Sequence, residues 1–293
     1  MQTVIMSGSQ IARQIHTKIK QEIQDLGITP ILATVLVGNN PASRTYLKNK
    51  HAACSEVGIE SRNIELPEST GQADLELLLK DLSANRSITG ILLQLPLPNG
   101  LDEFSAINAI DPEKDVDGLH PHNLGMLLQK SRGIVPCTPK GIIVMLHHYS
   151  VPIAGSYVVI VNRSKLVGRP LSQLFLNNDA TVTVCHSKTK ELSRFCKQAD
   201  ILVTGIGHRS QTSIGESMIK PGAAVVDVGT SVINGKLMGD VDFESVCRVA
   251  GHITPVPGGV GPMTISMLLY NTLLTASQLR GQNLNFDPET LSN

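Results

Sequence analysis

The chain has no tryptophan, and phenylalanine, tryptophan and tyrosine together make up only 3% of its 293 residues. With 41% hydrophobic residues, the core is left to aliphatic side chains, the composition of an ordinary globular α/β protein. An excess of charge of either sign is also missing. Lys plus Arg and Asp plus Glu stand at 25 each, so no global field draws the chain to nucleic acid or to an anionic membrane surface, and a small molecule is the expected partner. The five cysteines, Cys54, Cys137, Cys185, Cys196 and Cys247, are odd in number and scattered without a CxxC pair. That pattern suggests neither a disulfide framework nor a zinc knuckle and fits a reducing cytoplasm. No apolar window approaches a membrane span, and no basic stretch followed by an apolar run opens the chain. Asn85-Arg-Ser87 and Asn162-Arg-Ser164 match a glycosylation pattern only by chance in that setting.

What is present is an alternation of strand and helix patterns long enough for two domains. Ser9 reads as the cap of a helix in which Ile11, Ile15, Ile19 and Ile23 recur at four-residue spacing, with Gly27 as its stop. A β-rich run spans Ile31 to Val37, and Asn40-Pro41 then opens a helix that runs to Gly58. Leu75, Leu78, Leu79 and Leu82 line one face of a third helix, followed by a strand from Gly90 to Leu95. Thr138-Pro139 reads as the cap and first position of a helix over Lys140 to His148, where the chain crosses into its second domain. Strands are expected at Tyr157 to Val161, Thr181 to Cys185, Ile201 to Thr204 and Ala223 to Val228, with helices at Leu171 to Asn177 and Lys190 to Gln198. The fold class is therefore α/β: two α/β domains with a cleft between, the second a Rossmann-like doubly wound parallel sheet. The last helix, Met263 to Leu279, has no strand after it and returns to the first domain. The expected domains are residues 1–137 plus 264–293 and residues 138–263.

One loop stands out, Thr254-Pro-Val-Pro-Gly-Gly-Val-Gly-Pro-Met-Thr264, because it opens directly into that long apolar helix. Its glycines allow close backbone approach to a flat ligand while its prolines hold the turn rigid. Tyr46 and Lys50 sit at i and i+4 of a helix that begins past the carboxyl end of a strand, where open α/β sheets bind ligands. The plainer reading is a snorkelling lysine beside a surface tyrosine. Gln94 is a lone amide among apolar neighbours, so it is either a structural clamp or part of a site. Asp115-Val-Asp-Gly118 lies in a loop, and a carboxylate there is suited to paired hydrogen bonds from an amino-pyrimidinone edge. His120 and His122 lack a third ligand pattern, and no metal is expected.

In the second domain Asn162-Arg-Ser-Lys-Leu-Val-Gly-Arg-Pro170 joins a strand to a helix, and Gly168 with the helix N-terminus forms a cradle for a diphosphate. The following strand ends Val184-Cys-His-Ser-Lys188 without the carboxylate that would accept from an NAD ribose, whereas Arg163, Ser187 and Lys188 can donate to a 2′-phosphate. NADP is the expected cofactor.

Taken in order along nearly the whole chain, these segments, with Pro136-Cys-Thr-Pro-Lys-Gly141, resemble the bifunctional methylenetetrahydrofolate dehydrogenase and methenyltetrahydrofolate cyclohydrolase family, called FolD in bacteria. The resemblance implies that Lys50 is the catalytic lysine, that Tyr46 and Gln94 orient it and the substrate, and that Asp117 holds the pterin ring and completes the catalytic quartet. It implies that Pro257, Gly258, Gly261 and Pro262 contact folate, and that Asn162, Arg163, Ser164, Ser187 and Thr230 lie along NADP. It further implies tetrahydrofolate one-carbon derivatives as ligands, a homodimer, and one-carbon metabolism serving purine biosynthesis. The chain departs from the family where Asn162 replaces a glycine, Ser7 an aspartate and Thr230 an isoleucine, and where Gly205 stands in a Thr-Gly-Ile-Gly run. None of these falls in the catalytic quartet.

The implied chemistry passes through a methenyl cation. A protonated lysine about 4 Å from that cation would be opposed by about 4 kcal/mol at an effective dielectric near 20, or about three pKa units. Lys50 is thus expected to work neutral, activating the water that attacks. Tyr46 and Lys50 also fit the YxxxK pair of short-chain dehydrogenases, although there the pair follows the nucleotide-binding strands and here it precedes them. The same residues are compatible with a protein that binds both ligands without turnover, and with an enzyme keeping one of the two activities.

Overall fold

The computed structural model describes residues 2–207, 213–233 and 235–291, apart from the side chain of Ala42. In chain order the elements are β1 (Val4–Ile5), α1 (Gly8–Leu26), β2 (Ile31–Val37), α2 (Pro41–Val57), β3 (Glu60–Leu66), α3 (Gln72–Ala84), β4 (Gly90–Leu93), α4 (Glu103–Asn108), α5 (Pro121–Leu128) and α6 (Cys137–His148). They continue with β5 (Tyr157–Val161), α7 (Gly168–Asn177), β6 (Thr181–Cys185), α8 (Leu192–Cys196), β7 (Ile201–Thr204), β8 (Ala224–Asp227), β9 (Ser231–Ile233), β10 (Lys236–Met238), α9 (Phe243–Val246), β11 (His252–Ile253) and α10 (Val260–Gln278). The chain divides into two compact units, one of residues 14–137 with 265–287 and the other of residues 1–13, 138–264 and 288–293. The first thirteen residues group with the later segment, not with residues 14–137 as the sequence suggests, because β1 pairs in that unit's sheet. Met1 and residues 292–293 of the expected first domain lie outside the described residues.

The three-stranded unit has the parallel order β3-β2-β4. Its central strand β2 is buried at six of seven positions, which is why it reads as an unbroken apolar run. At the edge, β3 alternates exposed and half-buried residues and carries Glu60, Arg62 and Glu65, charges that discourage further strand pairing. The isoleucines of α1 are buried on one face, and Gly27 ends that helix at φ +60°. Asn40 accepts the backbone N–H of Ser43 through Oδ1 at 3.1 Å, closing the N-terminus of α2 directly after β2.

The six-stranded unit has the order β1-β11-β8-β7-β5-β6, parallel throughout. Strands β5, β7 and β8 sit inside the sheet and are almost wholly buried, with Val159, Leu202 and Val225 in the same apolar cluster. The antiparallel pair β9 and β10 stands apart from this sheet. Several expected boundaries are corrected: α6 begins at Cys137, so Thr138 is inside it, the strand expected to reach Leu95 ends at Leu93, α7 begins at Gly168, α8 spans only Leu192–Cys196, β8 spans Ala224–Asp227 and α10 spans Val260–Gln278. Ser9 likewise lies inside α1, which starts at Gly8. No described helix is long and apolar enough to cross a membrane.

Candidate active site

In the three-stranded unit the i, i+4 spacing of α2 puts the Lys50 ammonium 5.3 Å from the centroid of the Tyr46 ring. Gln94 follows β4, held to the sheet by its backbone N–H on the carbonyl of Val35 at 2.9 Å. Its side chain meets Lys50, whose Nζ donates to Gln94 Oε1 at 3.2 Å. The Gln94 amide nitrogen donates to the carbonyl of Leu95 at 2.7 Å, which fixes the amide's orientation. The Leu95-Pro96 bond is cis.

Lys50 is only 8% exposed, and burial lowers its pKa below the ordinary lysine value. Asp117 opposes that shift most strongly, followed by Cys137 and Cys54. Desolvation raises the Tyr46 phenol, and the Asp117 charge adds to it. Burial pushes the Cys54 thiol up to about 11 and the Cys137 thiol well above its usual range, where Asp117 acts in the same direction by charge and hydrogen bonding. Lys50 thus bonds the Gln94 carboxamide, stands near the Tyr46 ring and feels the Asp117 charge, and the dominant physical effect on the amine favours its neutral form.

The segment bearing Asp117 is anchored on both sides. Asp115 is buried and accepts from the backbone N–H of His120 at 2.7 Å and from Asn123 Nδ2 at 2.9 Å. It is a structural carboxylate. His120 caps α5, its Nδ1 accepting from the backbone N–H of His122. Asn271 of α10, wholly buried, donates from Nδ2 to the carbonyls of Val116 at 2.9 Å and Val135 at 3.0 Å. Sequence reasoning misses the parts of Cys137 and Asn271; the one signal for Asn271 is a polar residue inside the apolar run Leu268-Leu-Tyr-Asn-Thr-Leu-Leu274.

Pro257, Gly258, Gly261 and Pro262 belong to the other unit. The carbonyl of Gly258 accepts the backbone N–H of Ser9 at 3.0 Å, and a Cβ on Gly8 would fall on the carbonyl of Gly259, so this loop is seated against the start of α1. Gly258 holds φ +100°, which explains glycine there. The helix after it starts at Val260, so Gly261 and Pro262 lie in its first turn and not ahead of it.

The candidate dinucleotide residues Asn162, Arg163 and Ser164 follow β5, Ser187 follows β6, and Thr230 follows β8. Arg163, Ser164, Ser187 and Thr230 are exposed and Asn162 is half-buried. Strands β5 and β6 pair in parallel from Tyr157 with Thr181 to Val161 with Cys185, so their following loops emerge side by side. The expected diphosphate cradle is different in form: the backbone N–H of Gly168 is taken by Asn162 Oδ1 at 3.0 Å. Below the loops, Asp240 accepts from Thr204 Oγ1 at 3.0 Å and from the N–H groups of Ile206 at 2.5 Å and Gly207 at 3.0 Å. That buried carboxylate ties down the segment after β7.

Residues 6–117 match the model of the tetrahydrofolate dehydrogenase/cyclohydrolase catalytic domain, and residues 136–280 match that family's NAD(P)-binding domain. The "Bifunctional protein FolD" of Nitrosopumilus maritimus is 48% identical over 275 residues, covering 93% of this chain and 96% of that protein. The crystal structure of the bifunctional FolD dehydrogenase/cyclohydrolase of Campylobacter jejuni superposes with a TM-score of 0.91 at 42% identity, covering 94% of this chain and 99% of that one. The Trypanosoma brucei methylenetetrahydrofolate dehydrogenase-cyclohydrolase, complexed with NADP cofactor and inhibitor, gives 0.89 at 37% identity over 95% of this chain and 98% of its own.

Proposed function

The chain belongs to the tetrahydrofolate dehydrogenase/cyclohydrolase family, and from that premise we propose that it oxidises 5,10-methylenetetrahydrofolate to the 5,10-methenyl form with NADP and hydrolyses the product to 10-formyltetrahydrofolate. The observation that carries this reading is the buried Lys50, bonded to Gln94 and depressed in pKa, beside Tyr46 and within the field of Asp117.

Lys50 is the base. In its neutral form it can stand beside a methenyl cation without repelling it, and as water adds to the methenyl carbon it accepts the water's proton. The added hydroxyl then gives up its proton as the C–N5 bond breaks and N5 takes one up, leaving the formyl group on N10 and one proton released per hydrolysis. Gln94 Oε1 accepts from Lys50 Nζ and directs the lone pair, while the Tyr46 ring stands 5.3 Å from the amine. Asp117 binds the amino-pyrimidinone edge of the pterin. Pro257, Gly258, Gly261 and Pro262 contact the folate.

The six-stranded unit fits a dinucleotide. The strand β6 ends without a carboxylate, and Arg163, Ser187 and Lys188 are exposed at the loops after β5 and β6, a donor set for a 2′-phosphate. When bound, NADP supplies the hydride acceptor. Residues 14–137 with the C-terminal helix act as the folate domain and the six-stranded unit as the NADP domain. The protein works as a cytoplasmic homodimer in the one-carbon supply to purine biosynthesis, a compartment in keeping with five free cysteines, four of them buried.

The test is purified protein with 5,10-methylenetetrahydrofolate and either NADP or NAD, following nicotinamide reduction and then methenyl decay. NADP-dependent reduction followed by enzymatic decay is expected. Activity with NAD alone removes the 2′-phosphate argument, and methenyl accumulation without enzymatic decay removes the hydrolase half.

A further inference from the structure

Asn162 opens the loop between β5 and α7, and its carboxamide makes three hydrogen bonds. Oδ1 accepts the backbone N–H of Ser164 at 2.8 Å and of Gly168 at 3.0 Å. Nδ2 donates to the carbonyl of Gly205, beyond β7, at 2.5 Å. Ser164 continues the closure, its Oγ accepting the N–H of Val167 at 3.1 Å and its carbonyl accepting that of Arg169 at 3.1 Å. The N–H groups of Val167, Gly168 and Arg169 are therefore all used within the loop. These are the donors that a helix N-terminus ordinarily presents to an anion.

The loop folds down on its own first residue so closely that a Cβ at Gly168 would overlap the Asn162 carbonyl. Meanwhile Arg163, Lys165 and Arg169 are exposed, and none forms an ion pair with a carboxylate among the described residues. Backbone donors have been consumed, while these cations carry no carboxylate partner; Arg169 spends its Nε–H on the carbonyl of Arg163 at 3.3 Å.

We propose that Asn162 is a positioning residue for the dinucleotide: its carboxamide takes the Gly168 amide out of phosphate binding and locks the loop to Gly205, so that the cofactor's phosphates are gripped by the cations of that loop. The inference rests on the reading of this unit as NADP-binding. With glycine at 162 the Gly168 N–H would stay open to the diphosphate. With asparagine the same grip depends on a side chain holding the loop in shape.

The test titrates NADP into wild type, Asn162→Ala and Asn162→Ser by calorimetry and measures KM and kcat of the dehydrogenase for each, alongside thermal unfolding. Asn162→Ala is expected to raise Kd and KM for NADP about tenfold, since lost loop closure is paid in binding, while kcat changes far less. Asn162→Ser keeps an oxygen for the Ser164 N–H and is expected to fall between. Wild-type affinity should drop as salt is raised, as screening of exposed cations requires. Equal or tighter NADP binding by Asn162→Ala means that freed amides hold the phosphates and overturns the inference. A parallel fall of kcat and KM effects with unfolding temperature in both variants reduces Asn162 to a fold-stabilising role and also overturns it. A wild-type chain that binds neither NADP nor NAD defeats the underlying cofactor reading itself.

Discussion

Asp240 donates its backbone N–H to the carboxylate of Asp227 at 3.1 Å, and both side chains are buried, at 0% and 3% exposure. Asp227 also accepts from the N–H groups of Gly229 and Val241, both at 2.9 Å. Desolvation nonetheless dominates those bonds and, with the Asp240 charge, raises the Asp227 pKa to about 6 from 3.8.

A raised folded-state pKa means that the native state holds the proton more tightly than the unfolded chain does. The stabilising contribution is complete below about pH 3.8 and lost as pH rises through about 6. Removing that titration in Asp227→Asn is expected to flatten stability between pH 4 and 7 relative to wild type, a relative change of up to about 3 kcal/mol. Urea denaturation across that range measures it, and an identical pH slope in the two proteins contradicts it.

Lys50→Met is expected to slow enzymatic methenyl hydrolysis by about 10²–10⁴-fold, the usual worth of a positioned proton-transfer group. Since the substitution also removes a buried amine, the unfolding temperature should hold or rise. A variant that hydrolyses methenyl substrate as fast as wild type would eliminate Lys50 as the base.

Asp117 favours the protonated form of Lys50 against the pull of burial. A lysine with a lowered pKa becomes neutral as pH rises through its folded-state value, so the enzymatic hydrolysis rate should climb through that value, below the ordinary 10.5. Neutralising the carboxylate in Asp117→Asn should shift this limb to lower pH, alongside a higher KM for folate. Rates corrected for uncatalysed hydrolysis provide the measurement, and a shift to higher pH runs against the assigned electrostatics.

Asn271→Leu leaves the carbonyls of Val116 and Val135 without their shared donor. The cost is expected to be about 1–3 kcal/mol in urea denaturation, borne chiefly at the half-buried Val135, because the Val116 carbonyl keeps the Cys137 thiol as a donor at 3.4 Å. Because Val116 adjoins Asp117, KM for methylenetetrahydrofolate should rise as well. Unchanged stability would show that those carbonyls find other partners.

The strands that can be read from sequence are those carried by continuous apolar and β-branched runs. The limits of β2, β5, β6 and β7 coincide with such runs at Ile31 to Val37, Tyr157 to Val161, Thr181 to Cys185 and Ile201 to Thr204. Edge and accessory strands are silent: β3 is largely charged and polar, β1 and β11 have two residues each, and the β9–β10 pair has three in each arm. Helix starts shift by a few residues where Thr138-Pro139 has the look of a cap but the first turn has already formed at Cys137. Around Lys50, the spacing of Tyr46 and the isolated amide of Gln94 are visible in one dimension. The supports from Cys137 and Asn271 join segments that only the folded chain brings together. At Asn162 the identity of the residue is visible in the sequence, but its capture of the Gly168 N–H is not.

Thr3 bonds through Oγ1 to the carbonyl of Ala250 at 2.8 Å, a reach of 247 positions, and β1 pairs with β11 beside it. The six-stranded sheet therefore cannot gain its outermost strand until residues near 250 have been synthesised. During translation the opening segment must wait, unpaired, while the residues of the whole three-stranded sheet, which lie between β1 and β11 in sequence, are synthesised.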